Sequence, residues 1–77
     1  MNKQRRDRLS KIIDKLYDLQ AELDDIKSEE EDVMDNMPEN LQNSERYESM
    51  QEAVDNMEEA SSSIDDVISS IESIVEA

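Results

Sequence analysis

Apolar residues along the chain recur at alternating steps of three and four. From Leu9 the stepping reaches Leu9, Ile12, Leu16, Leu19, Leu23, Ile26, Glu30, Val33 and Met37, and Glu30 is the one polar member. From Tyr47 it reaches Tyr47, Met50, Val54, Met57, Ser61, Ile64, Ile68, Ile71 and Val75, with Ser61 as the exception. Spacing of this kind, sustained over many turns, keeps one stripe of a helix in line with a partner helix and is the mark of coiled-coil packing. Pro38 lies between the stripes, cannot continue a helix, and disfavours helical geometry at Met37. The pattern predicts helix 1 over about 4–35, an irregular turn over about 36–44 and helix 2 over about 45–75. Ser44 or Asn43 is the expected N-cap of helix 2, with Glu45 in its favourable first turn.

A connection this short makes the helices antiparallel neighbours. The expected fold is all-α: one helical-hairpin domain over residues 1–77. Pairing the stripes in reverse sets Val33 against Tyr47, Glu30 against Met50, Ile26 against Val54 and Leu23 against Met57. Leu19 then meets Ser61, Leu16 meets Ile64, Ile12 meets Ile68 and Leu9 meets Ile71, so the numbers of every pair sum to 80 in one unbroken register. Glu30 reads as an acid near the tip whose head escapes to water. Ser61 reads as a small residue tolerated where the helices approach closely.

A two-helix rod buries only a strip of each helix, which is a thin core for a chain near the lower size limit of a stable domain. Helix 2 carries a second apolar edge at Ala53, Ala60, Val67 and Ile74. In the register above, that edge lies across from Glu29, Glu22, Lys15 and Arg8, whose stems cover it only in part. A face this wide suits a bundle helix, so a homodimeric four-helix bundle is expected, with those four residues at the dimer interface. Ile13 and Met34 are expected to extend the contact from helix 1. The alternative occupant of the edge is another protein, with the chain acting as a coiled-coil oligomerisation or adaptor module.

Charge changes the picture next. The net charge is −14, and it is unevenly spread. Residues 1–15 hold six basic side chains against Asp7 and Asp14, a local +4. Residues 18–59 hold sixteen acids against Lys27 and Arg46, which equals the whole −14. The stretch SEEEDVMDNMPEN, residues 28–40, is the point of this anionic half. In the hairpin, the basic start of helix 1 lies beside the acids ending helix 2, and Arg6 with Glu72 is the expected ion pair. Acids recur at helical neighbour spacing in Glu22, Asp25, Glu29 and Asp32, and again in Glu48, Glu52, Asp55 and Glu59. Side chains three or four apart stand about 5–6 Å from one another, comparable with the spacing of phosphates along a nucleic-acid strand. These eight are the candidate surface for a basic protein partner.

Other chemistry finds little footing. Cysteine and histidine are both absent, so disulfides, thiolate or imidazole metal sites and the usual nucleophile–base pairs are excluded. The acids follow no calcium-loop pattern, which also needs a glycine that the chain lacks. No enzymatic activity, cofactor or metal is expected. The longest apolar run is two residues, which excludes a membrane span and makes a cytoplasmic location the default expectation. Direct nucleic-acid binding would rest on KQRRDRLSK alone, against a repulsive overall field. The stretch NMPENLQNSERYESMQEAVDNMEEA, residues 36–60, resembles short acidic helical proteins encoded by phages, prophages and mobile elements of Gram-positive bacteria. That resemblance implies a small accessory protein. Small acidic phage proteins include DNA mimics, inhibitors that block nucleases, restriction or CRISPR effectors, or polymerases. The expectation is therefore a non-enzymatic inhibitor whose carboxylates occlude the basic groove of a nucleic-acid-binding or defence protein.

Overall fold

The computed structural model describes all 77 residues. It is a rod of 60 × 15 × 12 Å built from two helices packed side by side. Helix α1 spans Lys3–Asp35 and α2 spans Glu45–Glu76, joined by a turn that contains one short 3-10 segment, Glu39–Leu41. The helix limits lie within a residue of those expected.

Local chemistry explains the ends. Asn2 opens α1, its side-chain oxygen accepting from the Arg5 amide at 2.9 Å. This satisfies one of the donors left free at a helix start. α1 stops at Asp35, and the side chain of its C-cap Asn36 donates to the Asp32 carbonyl at 2.8 Å. Pro38 then holds extended backbone and starts the 3-10 turn, whose Leu41 amide donates to the Pro38 carbonyl. Ser44 caps α2 as expected: its hydroxyl accepts from the Tyr47 amide at 3.2 Å and donates to the Leu41 carbonyl at 2.6 Å. The turn needs no glycine, because no residue takes a positive φ.

α2 meets its partner with the anticipated stripe. Met50, Val54 and Ile68 are buried, and Tyr47, Met57, Ser61, Ile64, Ile71 and Val75 are half-buried. α1 does not. Leu9, Leu16, Leu23, Glu30 and Met37 keep their seam positions, but the alternate members move on by one residue. Ile13, Gln20, Lys27 and Met34 line the seam in place of Ile12, Leu19, Ile26 and Val33. At 3.6 residues per turn this is a roll of α1 by roughly 50°. The displaced residues are left outside: Ile12 is 44 % exposed, Leu19 55 %, Ile26 55 % and Val33 47 %.

The register changes too. Contacts across the seam join Gln20 to Asp65, Asp24 to Ser61 and Lys27 to Glu58, pairs whose numbers sum to 85 rather than 80. Other contacts sum to 81 (Gln20 with the Ser61 carbonyl), 83 (Arg6 with Ala77) and 89 (Tyr17 with Glu72), so side-chain pairing is displaced by about one turn on average from the sequence-based alignment. The tightest packing is near the turn, where Met34, Met50 and Val54 cluster with Met37, Tyr47 and Met57 against them. Ile13 and Met34, expected to face a second copy, are buried inside the hairpin instead. They belong to the rolled seam.

This arrangement assigns cost by stripe. Ile13→Ala is expected to lower the unfolding free energy by about 2–5 kcal/mol, the usual loss for a buried aliphatic. Ser62→Ala, on the exposed back of α2, is expected to change it by less than about 0.5 kcal/mol. Thermal melts followed by circular dichroism check both, and equal losses would contradict the rolled seam.

Candidate interaction surfaces

The two flanks of the seam differ sharply. On one flank, side chains reach across between the helices. Gln20 donates from Nε2 to the Ser61 carbonyl at 3.0 Å and to Asp65 Oδ1 at 2.7 Å. The Ser61 hydroxyl donates to Asp24 Oδ1 at 3.2 Å, and Tyr17 Oη donates to Glu72 Oε1 at 3.3 Å. Lys27 Nζ lies 3.1 Å from Glu58 Oε1 and 3.8 Å from Glu31 Oε1. Ser61 is therefore half of a polar layer with Gln20 rather than merely a small residue in a tight place.

These contacts shift two ionisations. The hydrogen bond that the Lys27 ammonium donates to Glu58 is the main reason it titrates above its ordinary 10.5, with desolvation opposing and Glu58, Glu31 and Asp24 charges adding. Chiefly the Glu72 carboxylate raises the Tyr17 phenol above 10.0, helped by desolvation, by the hydrogen bond and by Asp65. Both folded pKa values are raised, so each contribution to stability is fully present at neutral pH. Each is lost only as pH climbs through the raised value.

The opposite flank is apolar. In each helix the residues just after the seam members at Leu16 and Leu23 in α1, and at Met57, Ile64 and Ile71 in α2, carry the polar bridges. In an antiparallel pair the residues just before the alternate seam members must then share the other side. In α1 these are Ile12, Leu19, Ile26 and Val33; in α2 they are Ala53, Ala60, Val67 and Ile74. Val67 and Ile74 are 47 % and 45 % exposed, Ala60 is exposed and Ala53 half-buried. The expected edge of α2 is thus present, but its neighbours across the hairpin are four aliphatics and not Arg8, Lys15, Glu22 and Glu29. One apolar face runs the length of the rod. The sequence signal for its α1 half is the spacing of seven from Ile12 to Val33, a row that periodicity alone places in the seam.

All eight candidate partner-binding acids are exposed. They do not form one surface. Glu22, Asp25, Glu29 and Asp32 lie about half a turn from the α1 seam, and Glu48, Glu52, Asp55 and Glu59 about half a turn from the α2 seam. The rows therefore point outward on opposite backs of the hairpin. Lys27 is consumed by Glu31 and Glu58, which leaves Arg46 as the one basic residue of the anionic half without an ion pair. At the other end, Arg6 donates to the Ala77 carbonyl at 2.9 Å rather than pairing with Glu72. Glu30 is half-buried at the seam.

Concavities are few and shallow. A hollow of about 250 Å³ is lined by Met1, Arg5, Arg8, Leu9 and Ile12, and a second of about 260 Å³ by Ser10, Ile13, Asp14, Glu72, Val75 and Glu76. No group of three or more acids is arranged to hold a metal ion, and no helix is long and apolar enough to cross a membrane. No family model, curated protein or solved structure matches the chain.

The Tyr17–Glu72 contact is directly testable. Glu72→Gln removes the largest cause of the raised phenol, so the Tyr17 ionisation, followed by phenolate absorbance in a Tyr47→Phe background, is expected to move down toward 10.0. An unmoved midpoint would mean that the two helices are not in this register.

Proposed function

We propose that this chain is a non-enzymatic interaction module, a helical hairpin that pairs with a second copy of itself into a four-helix bundle. The observation that carries this reading is the exposed apolar face, to which both helices contribute four residues each. A contiguous apolar strip along a small, highly charged protein is a strong sign of a protein contact. A rod face of 60 × 15 Å has the scale of the ~800 Å² per partner that a stable interface uses. Covering the strip also thickens a core that amounts to five buried residues in the hairpin alone. Within the proposed bundle, Ala53, Ala60, Val67 and Ile74 form the α2 half of the interface and the exposed row of α1 forms the other half.

Sedimentation tests this reading. The chain is expected to associate reversibly to twice its 8.9 kDa mass, and Leu19→Asp or Val67→Asp is expected to weaken association at least tenfold by burying an unpaired charge. A fully helical monomer at every concentration would overturn the proposal.

A second reading concerns what the module binds besides itself. The exposure of all eight acids, with one basic residue left unpaired among them, favours a partner with a basic surface, such as a nucleic-acid-binding or defence protein. Each acidic row would engage it separately, carboxylates standing where phosphates otherwise sit and long-range attraction speeding encounter. Affinity for such a partner, isolated by pull-down from a bacterial host lysate, is expected to fall steeply with salt. Glu29→Lys with Asp32→Lys is expected to reduce it at least tenfold. Salt-independent binding, or no effect of the charge reversal, would eliminate this mode.

A further inference from the structure

We propose that the two copies meet face to face and head to tail, with the turn of each hairpin lying over the open end of the other. The inference rests on the self-pairing proposed above and fixes its arrangement. Two symmetric ways exist to lay one apolar face on another. A dyad along the rod places both turns at the same end and sets α1 over the partner's α2. A dyad across the rod places the turns at opposite ends and sets like helices against each other, antiparallel.

Three features of the face select the second. The first is size. At equal heights along the rod the face carries Ile12 with Ile74, Leu19 with Val67, Ile26 with Ala60 and Val33 with Ala53, so it is bulky at the open end and slight beside α2's start. Turns together would stack bulk on bulk at the open end, Ile12 on Ile74 and Leu19 on Val67, and leave the tip end thin, where Ala60 and Ala53 are met by Ile26 and Val33. Head to tail, the bulky end of each face lies over the slight end of the other, with Ile74 over Ala53, Val67 over Ala60, Ile12 over Val33 and Leu19 over Ile26, so bulk is spread evenly along the bundle.

The second feature is the charge beside the face. The row of α1 that borders it reads Arg8, Lys15, Glu22, Glu29, two positive residues followed by two negative. Laid antiparallel on its own copy in this register, that row sets Lys15 against the second copy's Glu29, twice by symmetry, while Glu22 meets its counterpart near the dyad and Arg8 meets Asn36. The row of α2 that borders the face reads Ser49, Asn56, Ser63, Ser70, with no charge to oppose its own copy. In the turns-together arrangement the charged row would instead lie against these neutral residues and gain nothing.

The third is the field of the whole rod. Residues 18–59 carry the equivalent of the full −14, and at the open end the +4 of residues 1–15 is balanced by the four acids of residues 60–77. Placing two such tips side by side sets like charge on like, whereas reversal brings each basic start to the other's acidic half. The hollow at the open end, lined by Met1, Arg5, Arg8, Leu9 and Ile12, then stands opposite Val33 and the tip acids of the second copy. It supplies an apolar floor and two guanidinium groups where those residues arrive.

Distances between spin labels decide between the arrangements, and the chain's lack of cysteine makes the labelling clean. With Asn40→Cys labelled in the exposed turn, the head-to-tail dimer is expected to show a tip-to-tip distance of about 50 Å, from 1.5 Å per residue on either side of the dyad. Mixing chains labelled at Asn40→Cys with chains labelled at Lys3→Cys is expected to add a short distance, about 10–20 Å given helix spacings of 8–10 Å. A short tip-to-tip distance in a sample that sediments as a dimer overturns the arrangement while leaving self-pairing intact. A sample that sediments as a monomer removes the self-pairing itself.

Discussion

The roll of α1 about its own axis is the constraint on which everything else in this molecule depends. Two polar residues set it. Gln20 and Lys27 occupy seam positions between the helices, and each reaches an acid of α2, Asp65 and Glu58 respectively. With them in the seam, Ile13 and Met34 are carried inward and Ile12, Leu19, Ile26 and Val33 are carried out. For the hairpin alone this exchanges Leu19 and Ile26 for two polar side chains, a loss of apolar burial. In the proposed dimer it is no loss. The polar bridges lie on one flank, and the aliphatics they displace build the face on which the second copy rests.

Much of this was legible in the chain. The two periodic stripes, Pro38 and the Ser44 cap mark both helices and the turn to within a residue, because helix and turn are decided by local chemistry. The seam of α2 was legible as well, since one of its faces is apolar at every layer except Ser61. α1 is different: Leu9, Leu16 and Leu23 belong equally to a stripe completed by Ile12, Leu19 and Ile26 and to one completed by Ile13, Gln20 and Lys27. Counting apolar residues chooses the first. The choice is made instead by pairing across the helices, between Gln20 and Asp65 and between Lys27 and Glu58, and long-range complementarity of that kind is invisible to periodicity along one helix. The same ambiguity hid half of the candidate interface. It also suggested one acidic surface where α1 and α2 present separate rows on opposite backs.

The charge distribution and the apolar face are two aspects of one design. A rod with its surplus negative charge at one end repels its own copy strongly in one orientation and much less in the other, so the asymmetry that weakens the single hairpin gives direction to the pair. On the proposed arrangement, both ends of the bundle display Asp25 and Asp32 of α1 and the outward row of α2, while Glu22 and Glu29 border the interface. The basic partner of the second reading would then find two equivalent anionic ends on each dimer, and a bivalent target would gain from both.

The most direct measurement compares two neighbouring residues. Ile12 is 44 % exposed and Ile13 is 9 % exposed within the hairpin, and the chain offers no competing thiol. Ile12→Cys and Ile13→Cys should be treated with a thiol reagent under dilution that keeps the chain monomeric yet helical. The rolled seam requires the cysteine at position 12 to react nearly as fast as in urea, and the one at position 13 to be strongly protected. Protection at 12 with free reaction at 13 would put α1 back in its periodic alignment and remove the apolar face.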